Sequence, residues 1–198
     1  MAENKVKYGL KNVHIAPITA ENKNYTAEEE NAYTYGEWFA YPGAVSLTGS
    51  SKSTSTKFYA DDTVYSETYT DNGYDLTFES ARMIDEFCEK ILNEQDGRQK
   101  ASNKPVAFAL CGEFDGDKQK GRFIFWKCDI SKRPDFTTKP NEDNGATPQT
   151  DTITATASPR VDTEDIKSVC YPDWSVYDTL YTSVPKPSAF KKPEASGS

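Results

Sequence analysis

The stretch "FYADDTVYSETYTDNGYDLTFE", Phe58–Glu79, decides how this chain is read. It is dense in β-formers: four tyrosines, with threonine, phenylalanine and valine between them. It also carries six acids (Asp61, Asp62, Glu67, Asp71, Asp75 and Glu79) and no lysine or arginine. Alternation puts Tyr74, Leu76 and Phe78 on one face and Asp75, Thr77 and Glu79 on the other, the pattern of a half-buried antiparallel sheet. On the outgoing strand, Phe58, Ala60, Asp62 and Val64 alternate with Tyr59, Asp61, Tyr65, Glu67 and Tyr69. "DNG" (71–73) predicts the hairpin turn between the two strands, because Asn-Gly tolerates positive φ. The reading is an acidic β-hairpin over 58–79, with one apolar and one solvated face.

Outward from this stretch the chain continues as β. "KYGLKNVHIAPI" (7–18) reads as a first strand, and "WFAYPGAVSL" (38–47) as a strand reset at Pro42-Gly43. "KPVAFALCGEF" (104–114) and "GRFIFWKCDI" (121–130) read as two apolar strands joined by "DGDKQK". "DTITATASPR" (151–160) alternates Ile153, Ala155 and Ala157 with Thr152, Thr154 and Thr156. The segment "TGSSKSTSTK" (Thr48, Gly49, Ser50, Ser51, Lys52, Ser53, Thr54, Ser55, Thr56, Lys57) has almost no apolar content and is expected to be a long loop. One segment changes period. In "SARMIDEFCEKILNEQDG" (80–97), Met83, Ile84, Phe87, Cys88, Ile91 and Leu92 recur every three to four residues. That stripe predicts an amphipathic helix over about 80–95, with Ser80 as N-cap and Gly97 past its end. "YPDWSVYDTLYTSV" (171–184) is expected to dock through its aromatics, and "PKPSAFKKPEASGS" (185–198) to be a flexible C-terminal tail.

The composition bounds what such a fold can do. In 198 residues, apolar types make up 36% while aromatics reach 13%, with 12 tyrosines. A thin core with many tyrosines suits a flat β protein that completes its burial against partners. The formal charge of −8 is concentrated: residues 21–79 hold 11 acids and three bases. Such a surface repels nucleic acid, since phosphate affinity needs clustered Lys and Arg. No apolar run approaches the ~18 residues of a membrane span. "MAENKVKYGL" lacks the apolar core of a signal peptide, which predicts synthesis in a cytosol.

The catalytic inventory is thin, and no enzyme activity is expected. The single histidine, His14, lies in a strand beside Val13 and Ile15, with no nucleophile paired to it by spacing. "GEFDGDKQKG" carries Asp115 and Asp117 but lacks the remaining ligands of a calcium loop, so it reads as a turn. Cys88, Cys111, Cys128 and Cys170 are widely spaced and read as small buried hydrophobes, not as a zinc site. No cofactor or metal is expected.

The motifs "KNVHIAPI", "PGAVSLTG", "FYADDTVY", "NGY", "FALCGEFDGDK…GRFIFWKC" and "TPQTDTITATASPR" occur in this order over roughly residues 5–160. The string resembles the major tail protein (tail tube) family of long, non-contractile phage tails, mainly those of Gram-positive hosts. The resemblance implies a β-sandwich with a flanking helix over residues 1–184. It implies a structural virion protein, assembled in the host cytoplasm, whose hexameric rings stack into a tube. A tape measure protein would fill the tube, terminator and distal tail proteins would close its ends, and genomic DNA would pass through it unbound. Under that reading Asp61, Glu67, Asp71, Asp75 and Glu79 are candidates to line the lumen, and residues 48–57 to contact a neighbouring ring or subunit. The competing expectation is a monomeric β-sandwich module that recognises a host surface.

Overall fold

The computed structural model describes residues 9–60, 62–136 and 149–194. The described residues are mainly β with almost no helix, as the alternation predicts. Strands β1 (Gly9–Glu21), β2 (Tyr33–Tyr35), β3 (Phe39–Ala40), β4 (Ala44–Ala60) and β5 (Thr63–Ser80) precede one short helix, α1 (Asp85–Lys90). Strands β6 (Phe108–Asp115), β7 (Arg122–Asp135), β8 (Asp151–Ala157) and β9 (Lys167–Cys170) follow. All pair antiparallel in one sheet, in the order β2-β1-β6-β7-β8-β5-β4, with β3 on β1 and β9 on β7.

The sheet curls over its own core. Ile15 and Leu47, from near the two ends of the strand order, line one small apolar space with Phe87 of α1 and Phe78 of β5. Val13, Phe108, Leu110, Phe123, Phe125 and Ile153 complete that cluster. Each such side chain, fully buried, stabilises by roughly 1.5–3 kcal/mol. The other face of β6 and β7 carries Cys111, Ile124 and Trp126, and residues 174–190 strap across it through Val176, Tyr177, Leu180 and Phe190. Strand alternation therefore feeds two cores from the same strands.

Four local expectations are corrected. "DNG" is not the hairpin turn. Strand β5 runs through it, and the chain reverses at the Ala60↔Thr63 pair, where Asp62 takes φ 59°. Nor is 48–57 a loop. Backbone pairing with β5 makes it strand despite its polar side chains, because a strand exposed on both faces needs no apolar period. The helix is far shorter than 80–95. Ser80 is fully buried in β5, paired with both Ala44 and Asp151, so β-pairing claims the residues that would have capped the helix. Asp151 also accepts the Met83 N–H at 2.8 Å, and the N-cap is Ile84. At the far end Asn93 takes φ 58° and stops the helix. Of the expected stripe, Phe87, Ile91 and Leu92 are buried. Residues 185–190, read as the start of a flexible tail, are docked: Phe190 stacks edge-on against Trp126, with ring centroids 5.3 Å apart.

Candidate functional site

The strap covers only half of its face. Across β7, β8, β5 and β4 the same face is bare, and the pairing register writes it as three polar rungs. Asp129, Thr156, Asp75 and Ser50 form the first; Lys132, Thr154, Thr77 and Thr48 the second; Asp135, Thr152, Glu79 and Ser46 the third. The rungs are tied together. Thr156 donates to Asp75 at 3.0 Å, Ser46 to Glu79 at 2.9 Å, and Ser131 and Thr156 share a bond of 2.8 Å. The acids are matched by lysines: Lys52 with Asp75 at 3.1 Å, Lys127 with Asp129 at 2.7 Å, and Lys132 with Asp135 at 2.7 Å. Hydrogen bonds from Lys52 and Thr156 hold the Asp75 carboxyl below the usual carboxylate range. The face is thus rich in hydroxyls and nearly balanced in charge, where the sequence suggested a strongly acidic one. Lys127 and Lys132 were missed because they come from a strand that neighbours the acidic stretch only in space, and Lys52 was read as part of a loop.

Beyond this face the β4–β5 ribbon projects as an arm. Strand β5 leaves β8 at the Tyr74↔Ala157 pair, while its pairing with β4 continues to the tip. About eleven residues per strand at ~3.3 Å each give a reach of about 35 Å. Phe58, Tyr59, Tyr65 and Tyr69 on it are 60–76% exposed.

At the arm's root lies the true role of "DNG". Between Ser51↔Tyr74 and Ser53↔Asp71, β5 carries one residue more than β4, a β-bulge. Gly73 takes φ +96°, and its N–H is held by Asp71 Oδ1 at 2.9 Å. A side chain there is excluded, since a Cβ would lie 1.9 Å from the Ala157 carbonyl oxygen. One extra residue reverses the alternation. Asp75 and Glu79 therefore lie on the bare face, while Asp71, Tyr69 and Glu67, paired with Ser53, Ser55 and Lys57, lie on the opposite face of the ribbon. Glu67 is hydrogen-bonded there by Ser55. Thr70, Thr68 and Ser66 take the places that strict alternation gave to acids and tyrosines. Four of the five candidate lumen acids are thus split into two sets, and the fifth, Asp61, lies outside the described residues.

No family model matches the chain, and no curated protein matches it.

A buried ion pair, which the sequence reading did not single out, fixes the far side of the sheet. Arg160 is 2% exposed and donates to Asp162 at 2.9 and 2.6 Å, to the Tyr35 hydroxyl at 2.8 Å and to the Glu30 carbonyl at 3.2 Å. Asp162 also accepts the Ala32 N–H at 2.9 Å, and Tyr35 donates to the Trp126 carbonyl at 2.9 Å. Burial opposes ionisation of Asp162, but the Arg160 and Ala32 hydrogen bonds outweigh it and hold the carboxyl below its ordinary range. The only advance signal was an arginine two residues from an aspartate in "SPRVD".

The remaining candidate chemistry resolves into structure. The two oxygens of Asp117 accept the N–H groups of Gln119 and Gly121, each at 3.0 Å, so its carboxylate closes a turn. Among the described residues no group of three His, Cys, Asp or Glu is placed to hold a metal. His14 packs 4.6 Å from the Tyr181 ring. Burial pushes the Cys170 thiol up to about 11 and raises Cys111 and Cys128 further, so these thiols stay protonated. No helix of the described residues is long and apolar enough to cross a membrane.

Proposed function

We propose that this chain is the subunit of a phage tail tube, a tail-tube β-sandwich whose copies close into six-membered rings and stack into a conduit for genomic DNA. The observation that carries the reading is the arm: a two-stranded ribbon about 35 Å long, with exposed aromatics and free edges, continuing a bare hydroxyl-rich sheet face. Two strands alone are marginal in water. Unpaired strand edges invite another chain, and a closed ring of copies removes them. Head-to-tail contacts of one surface with a different one give rings where the rotation closes and filaments where it does not.

In this reading the bare face of β7, β8, β5 and β4 lines the channel. A conduit must pass duplex DNA without holding it. Threonine and serine rungs offer no cluster of cations, and Asp75, Asp129 and Asp135 keep the lysines of that face engaged. Screening confines any residual repulsion to about 8 Å at physiological salt, so the effect belongs to the wall. Electron microscopy of the purified protein at rising concentration tests the reading. Rings or tubes of about six subunits around support it; a chain that stays monomeric at high concentration and binds a glycan supports the host-recognition module instead.

A further inference from the structure

The bulge at Gly73 leaves the arm with two unlike faces. One carries Thr54, Thr56, Ser66, Thr68 and Thr70; the other carries Ser53, Ser55, Lys57, Glu67, Tyr69 and Asp71. The hydroxyls thus extend the bare face past Lys52 as far as Phe58, which pairs with Ser66, while Tyr69 and Glu67 are turned away from it. Towards the tip Phe58, Tyr59 and Tyr65 are also exposed, and Asp62 and Glu67 outnumber Lys57. This aromatic, acidic end is the part of the molecule least satisfied by its own chain.

A surface of complementary character exists on the same chain. Beside the β6–β7 turn a cleft of about 500 Å3 is lined by Gln119, Tyr171, Pro172, Trp174, Lys192 and Asp173. Tyr171 and Trp174 stand edge to face in it, 6.0 Å apart. Lys120 and Lys191 adjoin the lining residues, so bases outnumber the one acid. The heights match as well. Tyr74, Ala157 and Cys128 form a common rung. Counted in rungs from it towards the same end of the sheet, the Phe58↔Ser66 pair beside Tyr65 stands seven rungs up β4 from Ser51, and Asp115, where the chain enters the turn that carries Gln119, stands seven rungs up β6 from Phe108.

We infer that the arm of one copy docks its aromatic, acidic end into the Tyr171–Trp174 cleft of a second copy standing beside it in the same orientation. Arm and cleft lie at one level, so the contact joins neighbours within a ring. Lys192 and Lys120 meet Glu67 and Asp62, and Tyr65 enters among Tyr171, Pro172 and Trp174. Such a contact is head-to-tail, which a closed ring requires, and aromatic anchors in a rimmed pocket are the usual carriers of interface energy. The inference rests on the tube reading but is separable from it.

The test is a cysteine pair, Tyr65→Cys with Gln119→Cys, both at exposed positions, oxidised after assembly. A ladder of covalent multimers ending at the ring number is expected from the double variant and not from either single one. Independently, Glu67→Lys is expected to raise the concentration needed for assembly about tenfold, and adding Lys192→Glu to restore it. Assembly of the double-cysteine chain without a ladder, or no restoration by the charge swap, overturns the inference while leaving the tube reading standing. If the unaltered chain forms no rings at all, both fall together.

Discussion

Asp71 Oδ1 accepts the backbone N–H of Gly73 at 2.9 Å, and around this bond the side chains of β5 change faces. The carboxylate named among the candidate lumen acids instead holds the bulge that reorganises the wall.

Replacing Gly73 by Ala tests the bulge directly. The new Cβ would meet the Ala157 carbonyl oxygen at 1.9 Å, in a left-handed backbone region unfavourable to L side chains. A loss of about 2–4 kcal/mol is expected by denaturant unfolding, as for other strained or overpacked sites. Asp71→Ala is expected to cost about 1 kcal/mol, one hydrogen bond's worth, and Asp71→Asn less, because its amide oxygen still accepts the N–H. Equal losses for the Ala and Asn variants would argue that the bond does not hold the bulge.

The same residues show why part of the fold was legible in advance. Leu76, Phe78, Ile153 and Ala155 alternate because each lies in a strand with one face in the core, and that face was read correctly. Residues 48–57 face water on both sides, so no apolar period marked them as strand. "DNG" signals positive φ, which a bulge uses as readily as a turn; only the partner strands β4 and β8 distinguish the two. The helical stripe from Met83 was real at Phe87 and Ile91, but pairing across β5 to Asp151 is a long-range fact. The charge balance of the bare face depends on Lys52, Lys127 and Lys132 arriving from different strands, so counting acids along one strand could not find it.

The Arg160–Asp162 pair predicts a pH-dependent stability. The Asp162 carboxyl sits below its ordinary value in the folded chain. Its contribution is therefore present above the unfolded value of about 3.9 and is lost as pH falls through the lower folded value. Asp162→Asn is expected to flatten the acid limb of a denaturation midpoint plotted against pH between about 5 and 2. Arg160→Met, which leaves Asp162 buried and unpaired, should cost about 3–5 kcal/mol near neutral pH. An unchanged acid limb in Asp162→Asn would assign the acid sensitivity to other carboxylates.

Removing the Phe190 ring tests the strap. Phe190 packs edge-on against the fully buried Trp126. Beside it, Ser188 bonds the Glu30 carboxylate through both its N–H at 3.2 Å and its hydroxyl at 3.0 Å. Phe190→Ala is expected to cost about 1–3 kcal/mol, below the range for fully buried aromatics because Phe190 is only half-buried. Tryptophan emission should shift to the red as water reaches Trp126. No shift would mean that Val176, Tyr177 and Leu180 cover that ring by themselves.

The wall reading makes the most demanding prediction. Asp75→Lys with Glu79→Lys removes the partner of Lys52 and the acceptor for Ser46, both on a solvated face, so the fold should lose no more than about 1 kcal/mol. Assembly should persist, because neither residue lies on the arm face that carries Tyr69 and Glu67. The bare face, however, would pass from near balance to a patch of cations at Lys52, Lys127, Lys132 and the two new lysines. Such a patch holds phosphate, with an affinity that falls steeply as salt rises. Phage carrying the double substitution should therefore form tails of normal appearance but eject DNA slowly, with the defect relieved at higher ionic strength. Normal ejection from intact tails at low salt would show that this face does not line the channel.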